Sequence, residues 1–198
     1  MSSDQSKSVK IAEIIETNSS RLVGQCYELY NSPGLGSLIR VGDNPVYAVI
    51  NNITTTTLDQ GRRVLARGSA EPTEESLYRN NPQLDKLLVT YLDALIIGYD
   101  DKDGLHYKLP PSPPHVHAFV TECTKEEISA FTENLDFLHS LLSTPVANID
   151  QVITSFLLLS CQSHSDSTAF LALAGKALAN ELAGNVIRLN AILRSLST

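Results

Sequence analysis

The spacing of apolar positions changes once along this chain: short alternating runs up to Cys123, steps of three and four beyond it. Residues 9–17 (VKIAEIIET) and 21–30 (RLVGQCYELY) are rich in β-branched and alternating apolar residues. The polar NSS between them predicts two paired strands with a tight connection. NSPGLGS (31–37) is dense in turn formers. Residues 37–54 then predict a strand, a Gly-Asp-Asn-Pro turn and a longer strand with Val46, Ala48 and Ile50 on one side. TTTT (54–57) reads as an edge strand or the exit of that strand, because threonine suits a pleated surface. RRVLARG (62–68) reads as a further short strand. SAEPTEESLYRNNPQ is an exposed excursion with a helical turn near 74–78. Leu84, Leu87 and Leu88 fit a helical turn, and a strand is expected from about Thr90 to Tyr99, where Leu92, Ala94 and Ile96 alternate. DDKDG (100–104) has hairpin-turn chemistry, LHYKL returns as a strand, and another strand is expected from about His115 to Cys123.

After Cys123, Thr124 and Glu127 have the spacing of a capping box. Ile128, Phe131, Leu135, Leu138 and Leu142 then mark an amphipathic helix that Pro145 ends. Asn148 caps a second helix and SHSDS breaks it. A third is expected over residues 167–195, with Leu171, Ala174, Leu178, Leu182, Val186, Leu189, Leu193 and Leu196 on one face. That run of about 28 residues would extend roughly 40 Å, more than a small barrel needs covered, so Leu182, Leu189 and Leu193 are candidates for contact with a second subunit.

Between the expected strands lies LPPSPPHVH (109–117). The proline run is short and apolar sequence follows at once, so it reads as a stiff strut carrying the chain across the end of a barrel. The division expected is a flexible N-terminus (1–8), a β-barrel (9–123) and a helical bundle (124–198). The fold class is α+β: a small barrel of about six to eight strands followed by a three-helix bundle.

GSLIRVGDNPVYAVINNITTT followed by NPQLDKLLVTYLDALIIGYDDKDGLHYKLPPSPPHVHAFV resembles the HAS-barrel family. That small barrel is shared by the N-terminal regions of HerA-type DNA-translocating ATPases and of F-type ATP synthase α and β subunits. The Gly-Asp turn, the PQL helix, the strand ending in GY and the LPP.PP..H segment occur in order over roughly residues 8–123. Through CTKEEISAFTENLDFLHSLL, the whole chain is similar to short stand-alone cyanobacterial HAS-barrel proteins. The resemblance implies a barrel that helps assemble a ring or contacts a nuclease partner. An ATPase is not expected: ALAGKALAN offers Gly175-Lys176 without the earlier glycine or the Ser/Thr of a phosphate-binding loop.

Composition narrows the chemistry. Of 198 residues 42% are hydrophobic, ordinary for a globular chain, and the formal charge of −7 argues against broad phosphate-backbone binding. Cys26, Cys123 and Cys161 are isolated and odd in number, as small apolar residues in a reducing compartment would be. MSSDQSKS has no apolar signal core, no run is long enough to span a bilayer, and a cytoplasmic location is expected. His115 and His117, alternating on a strand, could hold a metal with His106 as third ligand, although structural histidines are the plainer reading. The carboxylates of DDKDG lack a calcium-loop pattern, and no serine sits in a nucleophile motif. Arg62, Arg63 and Arg67 form the one compact basic group, which could touch nucleic acid or an acidic partner, although a solvated barrel edge kept from pairing with its neighbours is the plainer reading.

The expectation is therefore a non-catalytic assembly or adaptor protein with no cofactor, working on a protein partner or on itself as a homo-oligomer. Two rivals differ in class: an accessory factor for a HerA-type translocase or nuclease in DNA-end processing, and a metal-dependent enzyme at the histidines.

Overall fold

The computed structural model describes residues 9–59, 61 and 63–197. The expected flexible stretch 1–8 and Arg62 lie outside the described residues. The fold is α+β, with seven strands and seven helices among the described residues.

Strands β1 (Lys10–Thr17) and β2 (Arg21–Cys26) pair antiparallel across a tight turn. Asn18 builds the turn, its Oδ1 accepting from the amides of Ser20 and Arg21 at 2.9 and 3.0 Å. β3 (Leu38–Val41) and β4 (Val46–Thr57) form the next hairpin, and β4 pairs along its length with β5 (Leu88–Asp101). β6 (Gly104–His106) folds back on β5. β7 (Phe119–Glu122) then inserts between β1 and β3. All neighbours are antiparallel in the order β2-β1-β7-β3-β4-β5-β6, and a further β2–β5 pairing closes six of the strands into a ring, leaving β6 outside it.

Alternation divides β3, β4 and β5 between two cores. Val46, Ala48 and Ile50 of β4 point into the ring, as the sequence predicts, and meet Ala12, Ile14, Leu22, Ile39, Leu92, Ala94, Ile96 and Val120 from the other five ring strands. The opposite faces of β3, β4 and β5 contribute Leu38, Tyr47, Val49, Leu95 and Ile97 to a second core, which the C-terminal helices complete. The helices therefore have no separate core: their apolar faces share one cluster with the outward faces of β3, β4 and β5.

The C-terminal segment holds five helices where the apolar spacing predicts three. α3 (Lys125–Phe131) begins with the expected capping box, Glu127 N–H donating to Thr124 Oγ1 at 3.2 Å and Thr124 N–H to Glu127 Oε2 at 2.8 Å. It ends early because Asn134 Oδ1 accepts from the Asp136 amide at 2.8 Å, a local turn that competes with the helix. α4 (Phe137–Leu142) and α5 (Ile149–Cys161) follow. The expected long helix is two, α6 (Ser167–Glu181) and α7 (Val186–Leu196). Leu182 terminates the first, and Asn185 accepts from the Arg188 amide at 3.1 Å to start the second. Arg188 then bonds Asp150 on α5 through Nε at 2.9 Å and Nη2 at 2.7 Å, fixing the folded-back α7. The 40 Å helix does not form.

Aromatic rings make the junction between ring and helices. Phe131 lies 4.9 Å from Tyr47 and 5.5 Å from Phe137 between centroids, and Phe137 lies 5.3 Å from Phe156. Two glycines permit the close approach. Gly36 has φ of 84° and sits where an added Cβ would be 2.6 Å from the Phe156 backbone nitrogen. At Gly98 a Cβ would be 2.6 Å from the His106 carbonyl oxygen and 3.0 Å from the Phe131 ring.

Candidate functional site

Three regions contain the residues singled out in the sequence. The first is the strut. Residues 107–118 form no strand, so the strand expected from His115 starts only at Phe119. Pro110 and Pro114 are buried, and the segment walls a cleft of about 920 Å³ with the β3–β4 turn and the β5–β6 turn. It joins β6 to β7 past these two turns.

Its exit is pinned to β1. The His117 amide donates to the Ile14 carbonyl at 2.8 Å, the Ile14 amide donates to the Ala118 carbonyl at 3.0 Å, and His117 takes the left-handed backbone conformation with φ of 69°. The His117 imidazole bonds Glu13, which also accepts from the Tyr27 hydroxyl at 3.0 Å. These two hydrogen bonds, His117 first, hold the Glu13 carboxyl below its ordinary range. His106 instead bonds Asp101 at 3.0 Å and stacks on Tyr99 at 4.7 Å. His115 is exposed in the turn before β7. The three histidines therefore have separate surroundings, and among the described residues no three His, Cys, Asp or Glu side chains gather as a ligand set.

The helical stripe is the second region. Leu182 is buried, and Leu189 and Leu193 pack partly buried against the core shared with the ring. All three are thus engaged within the chain. No helix among the described residues is long and apolar enough to cross a membrane.

The third region is the excursion between β4 and β5. The expected strand at 62–68 is absent over residues 63–68, which run irregularly. Beyond them Thr73 caps α1 (Glu74–Asn80), and α2 (Leu84–Leu87) leads straight into β5. Local hydrogen bonds fix the excursion at both ends. Leu58 N–H donates to the Leu87 carbonyl at 2.8 Å, and Asp59 Oδ1 accepts from the Gly61 amide at 3.0 Å. Glu71 accepts from Ser76 Oγ at 2.8 Å and from Asn80 Nδ2 at 3.0 Å. Tyr78 on α1 bonds the Tyr30 hydroxyl edge to face, tying α1 to the loop after β2. That hydrogen bond, with burial and the nearby Asp85 and Glu74, pushes the Tyr78 hydroxyl up to about 12.

A groove of about 740 Å³ opens between residues 57–59, residues 63–67 and α2. Its apolar lining is held in solvent: Leu58 is 54% exposed, Val64 59%, Leu65 70% and Leu87 41%. Arg63, Arg67 and Lys86 share the lining with these side chains, and among the described residues Asp59 is its one carboxylate. Sequence reasoning found the arginines and missed the apolar strip beside them. The readable signal was the adjacent Val64-Leu65 pair, which breaks the alternation a half-buried strand requires. Among the described residues the lining contains no histidine, cysteine, serine or aromatic residue.

No protein-family model matches this chain, and no curated protein is significantly similar to it in sequence.

Proposed function

We propose that this protein is a non-catalytic assembly or adaptor protein in which a HAS-type barrel and its attached helices form a rigid platform for protein contacts. One observation carries the reading: large apolar side chains at Leu58, Val64, Leu65 and Leu87 are exposed together in one groove. Contiguous exposed apolar surface of this kind marks an interaction site, because leaving it in water costs free energy that a partner recovers. The ordered resemblance over roughly residues 8–123 and the closure of six strands into a ring support a HAS-type barrel as the framework. The cytoplasm suits a chain with three unpaired cysteines.

The test is light scattering of the full chain over a range of concentrations, beside affinity capture with the wild type and the V64D/L65D variant. A defined self-assembly, or an identified partner, that the wild type holds and the variant loses is the expected result. A chain that stays monomeric, with every captured protein retained equally by the variant, would refute it.

A further inference from the structure

We infer that the groove between residues 57–59, residues 63–67 and α2 docks an acidic, apolar peptide segment of a partner protein. The inference rests on the docking role proposed above and adds the chemistry of the partner. Charge complementarity is the argument. The chain as a whole carries a formal charge of −7, yet among the described residues this groove is lined by Arg63, Arg67 and Lys86 against Asp59 alone. None of those three cations pairs with a carboxylate among the described residues. Asp59 is engaged locally by the Gly61 amide. Asp85, the acid closest in sequence to Lys86, acts on the Tyr78 hydroxyl and is outside the lining.

The cations and the apolar side chains line the same groove. A ligand that satisfies both must bring carboxylates and aliphatic or aromatic side chains together at close spacing, which a short peptide segment does. Nucleic acid fits less well: the lining has no aromatic face on which a base could stack, and the overall negative charge opposes a polyanion. A short peptide meets the cations as local charges and avoids that long-range penalty.

The test uses a random peptide library displayed on phage and the immobilised full-length chain, with the R63E/R67E and L65D variants in parallel. All three substituted positions are exposed, and a thermal melt verifies that each variant folds. The enriched peptides are expected to carry Asp or Glu beside Leu, Ile or Phe. Labelled copies should bind the wild type, weaken by about tenfold or more on R63E/R67E and on L65D, and weaken further as salt is raised. Replacing the peptide acids by lysine should restore binding to R63E/R67E. Peptides without acids that bind wild type and R63E/R67E alike but are lost on L65D would overturn the acidic chemistry and leave the docking role standing. No enrichment, or binding unaffected by any variant, would end both. Displacement of the peptides by single-stranded oligonucleotide at lower concentration would assign the groove to nucleic acid and overturn the inference.

Discussion

Individual residues determine how closely the helices lie on the ring. Gly36 combines a positive φ with backbone of Phe156 at contact, so Gly36→Ala is expected to destabilise by about 2–4 kcal/mol, measured as a shift in the denaturant midpoint. Tyr47 makes a pH prediction. Burial, then the nearby Cys123, Glu127 and Asp100, push its hydroxyl from 10 up to about 12. The folded state therefore holds this proton more tightly than the unfolded chain. The resulting stabilisation is complete below pH 10 and is lost as pH rises towards 12, by on the order of 2 kcal/mol. Denaturant titrations at pH 9 and about 11.5 should show a smaller alkaline loss for Tyr47→Phe than for the wild type. An equal loss in both would show that Tyr47 does not carry the effect. Gly36 could be read in the sequence as a turn former but not as a contact with Phe156, since that partner lies 120 residues on.

At the scale of elements, alternation was the reliable guide. The inward set Val46, Ala48, Ile50 and the set Leu92, Ala94, Ile96 were legible because period two assigns a face directly. The capping box at Thr124 was legible because it is purely local. Helix ends inside a continuous apolar stripe were not. Leu171 to Leu196 keeps helical spacing across the break at 182–185, and spacing reports which face is apolar without reporting that the chain reverses. Asn185 was the available signal, a strong N-cap after Gly184. Glu127 joins two elements, bonding the Thr124 amide and pairing with Arg40 of β3 at 2.9 Å. Glu127→Ala should cost about 1–2 kcal/mol. Glu127→Gln, which keeps a cap acceptor and loses the charge, should cost less than half of that, read from the same unfolding curves. Equal losses would place the whole effect on the ion pair.

For the whole molecule, the shared core has a direct consequence for truncation. A chain ending after Cys123 would expose Leu38, Tyr47, Val49, Leu95 and Ile97 on the outside of the ring. It is expected to aggregate or to bind a hydrophobic dye more strongly than the full chain. A well-behaved monomer of residues 1–123 without dye binding would show that the ring stands without its helices. The candidate groove was only half legible: its cations form a visible cluster, whereas its floor joins Leu58, Val64 and Leu65 to Leu87 across an excursion whose course depends on tertiary folding. The strand order also has a consequence for synthesis. β7 bridges β1 and β3 yet is separated from both by the strut and everything before it. A ribosome making this chain from its N-terminus produces five strands of the ring before the one that closes it, leaving the facing edges of β1 and β3 without their partner until residue 122 has emerged. The proline segment is translated just before that strand, so its stiffness shortens the search by which the last piece finds its gap.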